Sequence, residues 1–190
     1  MNQMNELTNV ISSIIEECKA ANAHFQVWWA FRSVALPDYY DTMNEYRYVD
    51  FFHAAKAGHY KLFNIALSKI FDRDERAAGI RKLKHILIEN NYQELAEYVD
   101  RELSPLTNTV KKIKNIRNQT IAHNQVDLTR EQVYENNEIT PNQIRNVVLK
   151  TVAVVNKVSE DLAINNLIFD NDRLEKATMV MLKTLEKGRT

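Results

Sequence analysis

The sequence predicts an all-α protein, an antiparallel bundle of about six or seven helices with two long helices in its N-terminal part. Turn formers are scarce, since the 190 residues include three glycines and three prolines, and this favours few, long elements. Apolar residues recur at alternating steps of three and four, which is the spacing of one helical face. The length favours one domain. We therefore expect a single helical domain over residues 1–190, with its core at about 5–163.

Charge and cysteine content argue against several classes of protein. The 25 basic and 25 acidic side chains give a formal net charge of zero, so polyanion binding would need a local basic patch. Cys18 is the single cysteine, which favours a reducing compartment and a packing role. No paired-ligand spacing is present, and we expect neither a metal nor another cofactor. Without a signal sequence or a membrane-spanning stretch, the protein is expected to be cytoplasmic.

The first predicted helix begins near Leu7 and ends before Pro37. One seam of apolar positions follows its length: Leu7, Ile11, Ile14, Cys18, Ala21, Phe25 and Trp28. Three further apolar residues widen this seam: Val10, Ile15 and Trp29. A stripe of this width is typical of a helix that faces several neighbours in a bundle.

Residues 36–44 are predicted to connect this helix to a second long one. The second seam repeats a seven-residue spacing: Val49, Phe52, Lys56, His59, Phe63, Ala66 and Ile70. Gly58 lies inside it, and a glycine in a helix interior costs about 1 kcal/mol relative to alanine. We interpret this glycine as the place where another helix crosses closely.

Two shorter helices are predicted next, over about 77–88 and 92–103. The acidic residues within 72–76 suit the start of the first of these helices. Its basic cluster, Arg81, Lys82 and Lys84, is interpreted as a solvated face in preference to an RNA-contacting patch. Ser104-Pro105 then resembles an N-cap followed by proline at the first position of the next helix.

The last two helices are predicted beyond residue 140. Thr140-Pro141-Asn142-Gln143 has the form of a capping box with proline at the first helical position. An amphipathic seam follows it: Ile144, Val148, Thr151, Val155, Val158 and Leu162. After a loop over 164–171, a C-terminal helix is expected over about 172–187, with Gly188 as its cap.

The stretch Lys111 to His123 is the part of the sequence that suggests chemistry. Counting 100° per residue places Arg117 at the centre of its helix's apolar seam, in line with Leu106, Val110 and Ile113. A charged arginine there needs a carboxylate, a subunit interface or a groove that receives an anion. His123 would project about 120° away from Arg117 if the helix continued that far.

Arg117-Asn118 followed by Ala122-His123 resembles the signature of the HEPN superfamily, in which an arginine and a polar residue precede a histidine by a few variable positions. The segment from His24 to the helix start at Asp72-Arg73 is similar to the branch of that superfamily associated with abortive infection of phage. This resemblance covers about residues 5–125.

The resemblance implies a metal-independent endoribonuclease that works as a homodimer, with the motif helices of two subunits facing each other across a cleft. Arg117 would bind the scissile phosphate, and Asn118 would orient the phosphate or the histidine. His123 would take part in proton transfer while the ribose 2′-hydroxyl attacks and leaves a 2′,3′-cyclic phosphate. Four residues would contact RNA: Lys111, Lys112, Lys114 and Thr120.

The spacing alone is not specific, because Arg47 and His53 are also six positions apart. Asn124-Gln125 also depart from the basic-acidic pair that often follows the histidine in this branch. By resemblance, the leading hypothesis is a phage-defence effector, or a toxin restrained by an antitoxin or another regulatory protein.

The alternative is a non-catalytic HEPN-like module for dimerisation and for binding nucleotide, RNA or protein. Three carboxylates are possible ion-pair partners that would bury Arg117 in a purely structural role: Asp50, Glu94 and Asp100. His123 could then be a helix-terminal histidine that interacts with the helix dipole. A third possibility is an unrelated helical bundle.

Overall fold

A computed structural model describes residues 3–119, 137–164 and 172–188 of the chain. Every regular element in these ranges is helical, which confirms the all-α prediction. The helices are α1 Gln3–Trp29, α2 Leu36–Asn44, α3 Val49–Ile70, α4 Ile80–Glu89, α5 Gln93–Leu103, α6 Thr107–Arg117, α7 Pro141–Asp161 and α8 Arg173–Lys187. A π-helical segment, Ala30–Val34, follows α1, and a 3₁₀ turn, Ser104–Leu106, precedes α6.

The core is built around α1, which packs most extensively on α3 and next on α7. All seven residues of its predicted seam are buried. Phe25 and Trp28 contact Phe63 of α3, with ring centroids 5.6 and 5.4 Å apart. Burial of such aromatic surface is a main source of the free energy that holds helices together. The predicted α7 seam is also buried, except for its last residue, Leu162, which is partly exposed.

Residues 36–44, predicted to be a connection, form helix α2 instead. Pro37 lies in the first turn of α2, where its missing N–H would have had no partner within the helix. Pro37 therefore comes after the end of α1 and also helps to start the next helix, α2. The prediction that the first long helix ends before Pro37 is confirmed.

Helix starts depend on which polar groups reach the backbone. The capping box at α7 is confirmed, because Thr140 Oγ1 accepts a bond from the Gln143 N–H at 3.3 Å and Gln143 Oε1 accepts one from the Thr140 N–H at 2.8 Å. At α4 the prediction is wrong by three residues. Asp72 and Asp74 accept bonds from backbone N–H groups two positions ahead, so they stabilise turns before a helix that begins at Ile80.

The two internal glycines have different surroundings. A Cβ atom added at Gly58 would meet no heavy atom within 4 Å, so the predicted close crossing at this residue is wrong. A Cβ added at Gly79 would lie 2.9 Å from the carbonyl oxygen of Ile70 and 3.2 Å from that of Asp72. The close approach therefore occurs at Gly79, where the chain turns back along the end of α3.

Helix α8 is attached to α1 through a buried polar side chain. Gln26, which is 5% exposed, accepts a bond from the backbone N–H of Leu174 at 2.9 Å. This contact satisfies a donor in the first turn of α8 that has no partner within the helix. Leu182 packs with Phe31 and Phe52 in a second, smaller cluster of buried residues. In the described parts of the chain, no helix is long and apolar enough to cross a bilayer.

Candidate functional site

Arg117 is the last residue of α6 and lies beside the buried face of that helix. Ile113 and Ile116 are 2% and 0% exposed, whereas Arg117 is only partly buried. Arg117 follows the buried seam residue Ile113 by four positions, but at the end of the helix it is only partly buried, and Ile116 joins the core beside it.

The guanidinium of Arg117 bonds to its neighbour. Its Nε and one terminal nitrogen both donate to Asn118 Oδ1, at 3.1 and 2.6 Å. Asp100, one of the carboxylates considered as a partner, binds Lys84 instead. Within the described ranges Arg117 forms no ion pair, so the structure does not support the sealed ion pair.

The backbone continues in helical geometry at the end of α6. Asn118 has φ −64° and ψ −39°, and its N–H bonds to the carbonyl oxygen of Lys114. Its side chain is exposed. Asn118 thus binds the arginine through its amide oxygen at an exposed position at the end of the helix. The other two motif residues predicted from the sequence, Thr120 and His123, lie outside the described residues.

The three lysines of the basic run separate into two directions. Lys111 and Lys114 line a cleft, while Lys112 donates to the carbonyl oxygen of Glu138 at 3.1 Å. Lys114 is half-buried, and its Nζ donates to the carbonyl oxygen of Phe71 at 2.8 Å.

Burial lowers the pKa of Lys114. The nearby charges have mixed effects, because Asp72 opposes the shift while Arg73 and Arg117 add to it. The Lys114 ammonium is therefore within electrostatic reach of both arginines, and Arg117 belongs to the same charged region as the cleft.

The cleft has a volume of about 770 Å³ and is bounded by the turn after α3 and by α4, α5 and α6. Five cationic side chains line it: Arg73, Arg81, Lys84, Lys111 and Lys114. Two carboxylates, Asp72 and Asp100, also line it. Asn118 lies at its border on α6, which places the Arg117–Asn118 pair next to a surface with a surplus of positive charge.

Sequence reasoning missed the walls that α4 and the turn before it contribute. The basic cluster of α4, interpreted as a solvated face, is divided by the fold. Arg81 and Lys84 line the cleft, whereas Lys82 points away and pairs with Glu6 at 2.9 Å. The three-residue step between Arg81 and Lys84 is a signal that both lie on one side of α4. Nothing in the sequence indicated that this side faces α6.

The chain matches the model of the family HEPN_AbiU2, described as AbiU2, over residues 4–177. This match is longer than the resemblance seen in the sequence and also includes α7 and the start of α8. Comparisons with curated proteins and with solved structures give no match. Because the family model covers well over half of the chain, this protein belongs to the AbiU2 family, an abortive-infection-associated branch of the HEPN superfamily.

Proposed function

We propose that this protein is a metal-independent endoribonuclease that acts as a homodimer in abortive infection of phage. The observation that carries the proposal is the exposure and the hydrogen bonding of Arg117. Its guanidinium is partly exposed beside a cationic cleft, and it bonds to the amide oxygen of Asn118 instead of a carboxylate within the described residues. An arginine guanidinium can bind the phosphate of an RNA backbone.

The reaction follows from the roles that family membership suggests. The ribose 2′-hydroxyl loses its proton and attacks the adjacent phosphorus, and the bond to the 5′-oxygen of the next nucleotide breaks. The products are a 2′,3′-cyclic phosphate and a 5′-hydroxyl. Arg117 would stabilise the negative charge on the phosphate oxygens in the transition state. His123 would transfer a proton, a task suited to a side chain that titrates near neutral pH.

Asn118 has a positioning role in this proposal. Its Oδ1 accepts two bonds from the Arg117 guanidinium, which restricts the orientation of a long, flexible side chain. Holding the donor group in place before substrate binds lowers the entropy lost in the transition state. The arginine would then present its remaining N–H groups to the phosphate.

The dimer would supply the second half of the site. Two motif helices facing each other would bring two copies of Arg117 and of the cleft lysines close together. This arrangement would concentrate positive charge in a protein whose formal net charge is zero.

Cleavage of a mixed RNA pool in EDTA by the purified full-length protein tests the proposal. We expect the wild-type protein to cut RNA and Arg117→Ala to lose activity by about 100-fold or more, the scale for removing one transition-state donor. His123→Ala is expected to lose activity similarly.

The matched controls are Arg47→Ala and His53→Ala, which have the same six-residue spacing outside the motif and are expected to retain activity. Equal activity of Arg117→Ala and wild type would contradict the proposal. No cleavage by a folded, RNA-binding dimer would instead favour the non-catalytic HEPN module.

A further inference from the structure

The cleft offers two kinds of surface to a ligand. Apolar side chains from three helices line it and keep 5–9% of their surface exposed: Ile80, Leu103 and Val110. The cationic groups stand beside them on α4, α6 and the turn after α3. An apolar floor with a few charged groups is the usual composition of a small-molecule site, and about 770 Å³ is within the range of such sites.

The cations of the cleft are only partly neutralised. Lys84 pairs with Asp100, and Arg81 pairs with Glu75 at 3.1 Å, a carboxylate that is 82% exposed. Arg73 and Lys111 have no ion-pair partner among the described residues. Lys114 donates to a neutral carbonyl oxygen. Asp72 also lines the cleft and partly offsets the charge of Lys114, but the lining keeps a surplus of positive charge for an anion that enters.

The combination of these charges with an apolar floor favours a phosphate on a nucleotide over a small isolated anion. Arg73 lies in the turn after α3, and Lys111 and Lys114 lie one turn apart on α6. Lys114 reaches that turn through its bond to Phe71, so the charges come from two neighbouring elements. A phosphate can bind between these two elements, and a ligand that also fills the cleft must carry an apolar part for its floor. A nucleotide has both features, since phosphates bind arginine and lysine and bases pack on apolar or planar groups.

We propose that this cleft binds a nucleotide unit, with its phosphate held by Arg73, Lys111 and Lys114 and its base placed on the apolar floor. This inference rests on the proposed function, because Asn118 joins the cleft to Arg117 and the nucleotide would then belong to the RNA strand beside the cleaved bond. A free nucleotide would use the same chemistry. An RNA strand would continue from the cleft past Asn118 to Arg117, whereas a free nucleotide would occupy the cleft alone.

Binding of an RNA that cannot be cleaved tests the inference separately from catalysis. A fluorescently labelled, fully 2′-O-methylated single strand lacks the attacking hydroxyl, and its affinity for the full-length protein is measured by anisotropy at several salt concentrations. The variant is Arg73→Gln with Lys111→Gln. Its matched control is Arg47→Gln with Lys61→Gln, which removes one arginine and one lysine at exposed positions outside the cleft.

We expect the cleft variant to bind at least about 10-fold more weakly and its control to change less than about 2-fold. The slope of log affinity against log salt should fall by about 1.4, since each lost phosphate contact on a single strand contributes about 0.7. Equal thermal unfolding midpoints would exclude misfolding as the cause.

A second titration with ADP and GDP identifies the source. Nucleotide binding that is lost in the cleft variant, with RNA affinity unchanged, assigns the site to a free nucleotide. Wild-type affinity of the cleft variant for all three ligands would overturn the inference. If the cleft variant cleaves and binds RNA as wild type does, this inference alone is overturned. If the cleft binds RNA but unmodified RNA is not cleaved, the proposed function alone is overturned.

Discussion

Single side chains show most clearly where the sequence indicated chemistry correctly and where it did not. Arg117 was recognised because a charged residue fell in an apolar pattern, and it does follow that pattern, although at the end of α6 it is only partly buried. Ile116 fills the core, so Arg117 costs little to solvate and needs no buried carboxylate. Its bond to Asn118 could not be read from the sequence, because it depends on the rotamers of both side chains.

His24 and His59 form a pair that did not stand out in the sequence. The Nδ1 atoms of His24 on α1 and His59 on α3 lie 3.0 Å apart, a distance at which one ring donates to the other. Burial lowers the pKa of both, and the charge of His24 lowers that of His59 further. Lys56, one turn before His59, also has a lowered pKa, through burial and then through Arg32. This part of the α1–α3 interface therefore favours neutral histidines.

The pair makes the free energy of unfolding depend on pH. Because the folded state lowers both histidine pKa values, the unfolded chain binds more protons below its own value of about 6.5. Stability is present above that pH and is lost as the pH falls towards the folded-state pKa values. We expect His59→Gln to lose less stability than wild type between pH 7.5 and pH 5.0 in urea unfolding. The control, His53→Gln, is exposed on the same helix, and a wild-type pH dependence in His59→Gln would contradict this explanation.

At the scale of helices, periodicity predicted the seams and local capping residues predicted one of the starts. The α1 and α7 seams and the Thr140 capping box follow from groups close in sequence, which is why sequence reasoning reached them. Helix α2 was missed because Pro37 was interpreted only as the end of the preceding helix. The cap that Gln26 provides for α8 could not be predicted, since the bonded groups are 148 positions apart.

The two internal glycines should respond to the same substitution with opposite signs. Gly58→Ala adds a methyl group where nothing lies within 4 Å, so it should raise the free energy of unfolding by about 1 kcal/mol through helix propensity. Gly79→Ala places Cβ against backbone carbonyls that cannot rotate away, so it should lower that free energy by about 1–3 kcal/mol. Urea unfolding of the two variants measures both effects. A lower free energy of unfolding for Gly58→Ala would instead support the predicted close helix crossing at this residue.

At the scale of the whole molecule, a formal net charge of zero conceals an uneven distribution of charge. Acidic and basic groups pair across helices elsewhere, as Lys69 does with Glu17 at 2.6 Å and Lys150 with Glu102 at 2.8 Å. The cleft instead gathers cations from three parts of the chain. Composition gives a formal net charge of zero, but it could not show where local charge accumulates.

The cleft could not be predicted from the sequence alone, because the residues that form its walls are far apart in the chain. Arg73, Lys84 and Lys111 belong to different elements that meet only when α4 and α5 pack beside α6. Three of the predicted site residues, Lys111, Lys114 and Asn118, line this cleft, and they were found from the local run of lysines and the family-like motif. A single domain and a homodimer remain predictions at this scale.

The most direct measurement of the central claim compares an RNA that is cleaved with the same RNA carrying one 2′-deoxyribose at the cleavage position, both in EDTA. A mechanism in which the 2′-hydroxyl attacks requires that the substituted bond stay intact, while the unmodified RNA gives a 2′,3′-cyclic phosphate and a 5′-hydroxyl. Arg117→Ala should abolish these products of the unmodified RNA. Cleavage at the deoxy position, or products with 3′-hydroxyl and 5′-phosphate ends, would contradict the mechanism.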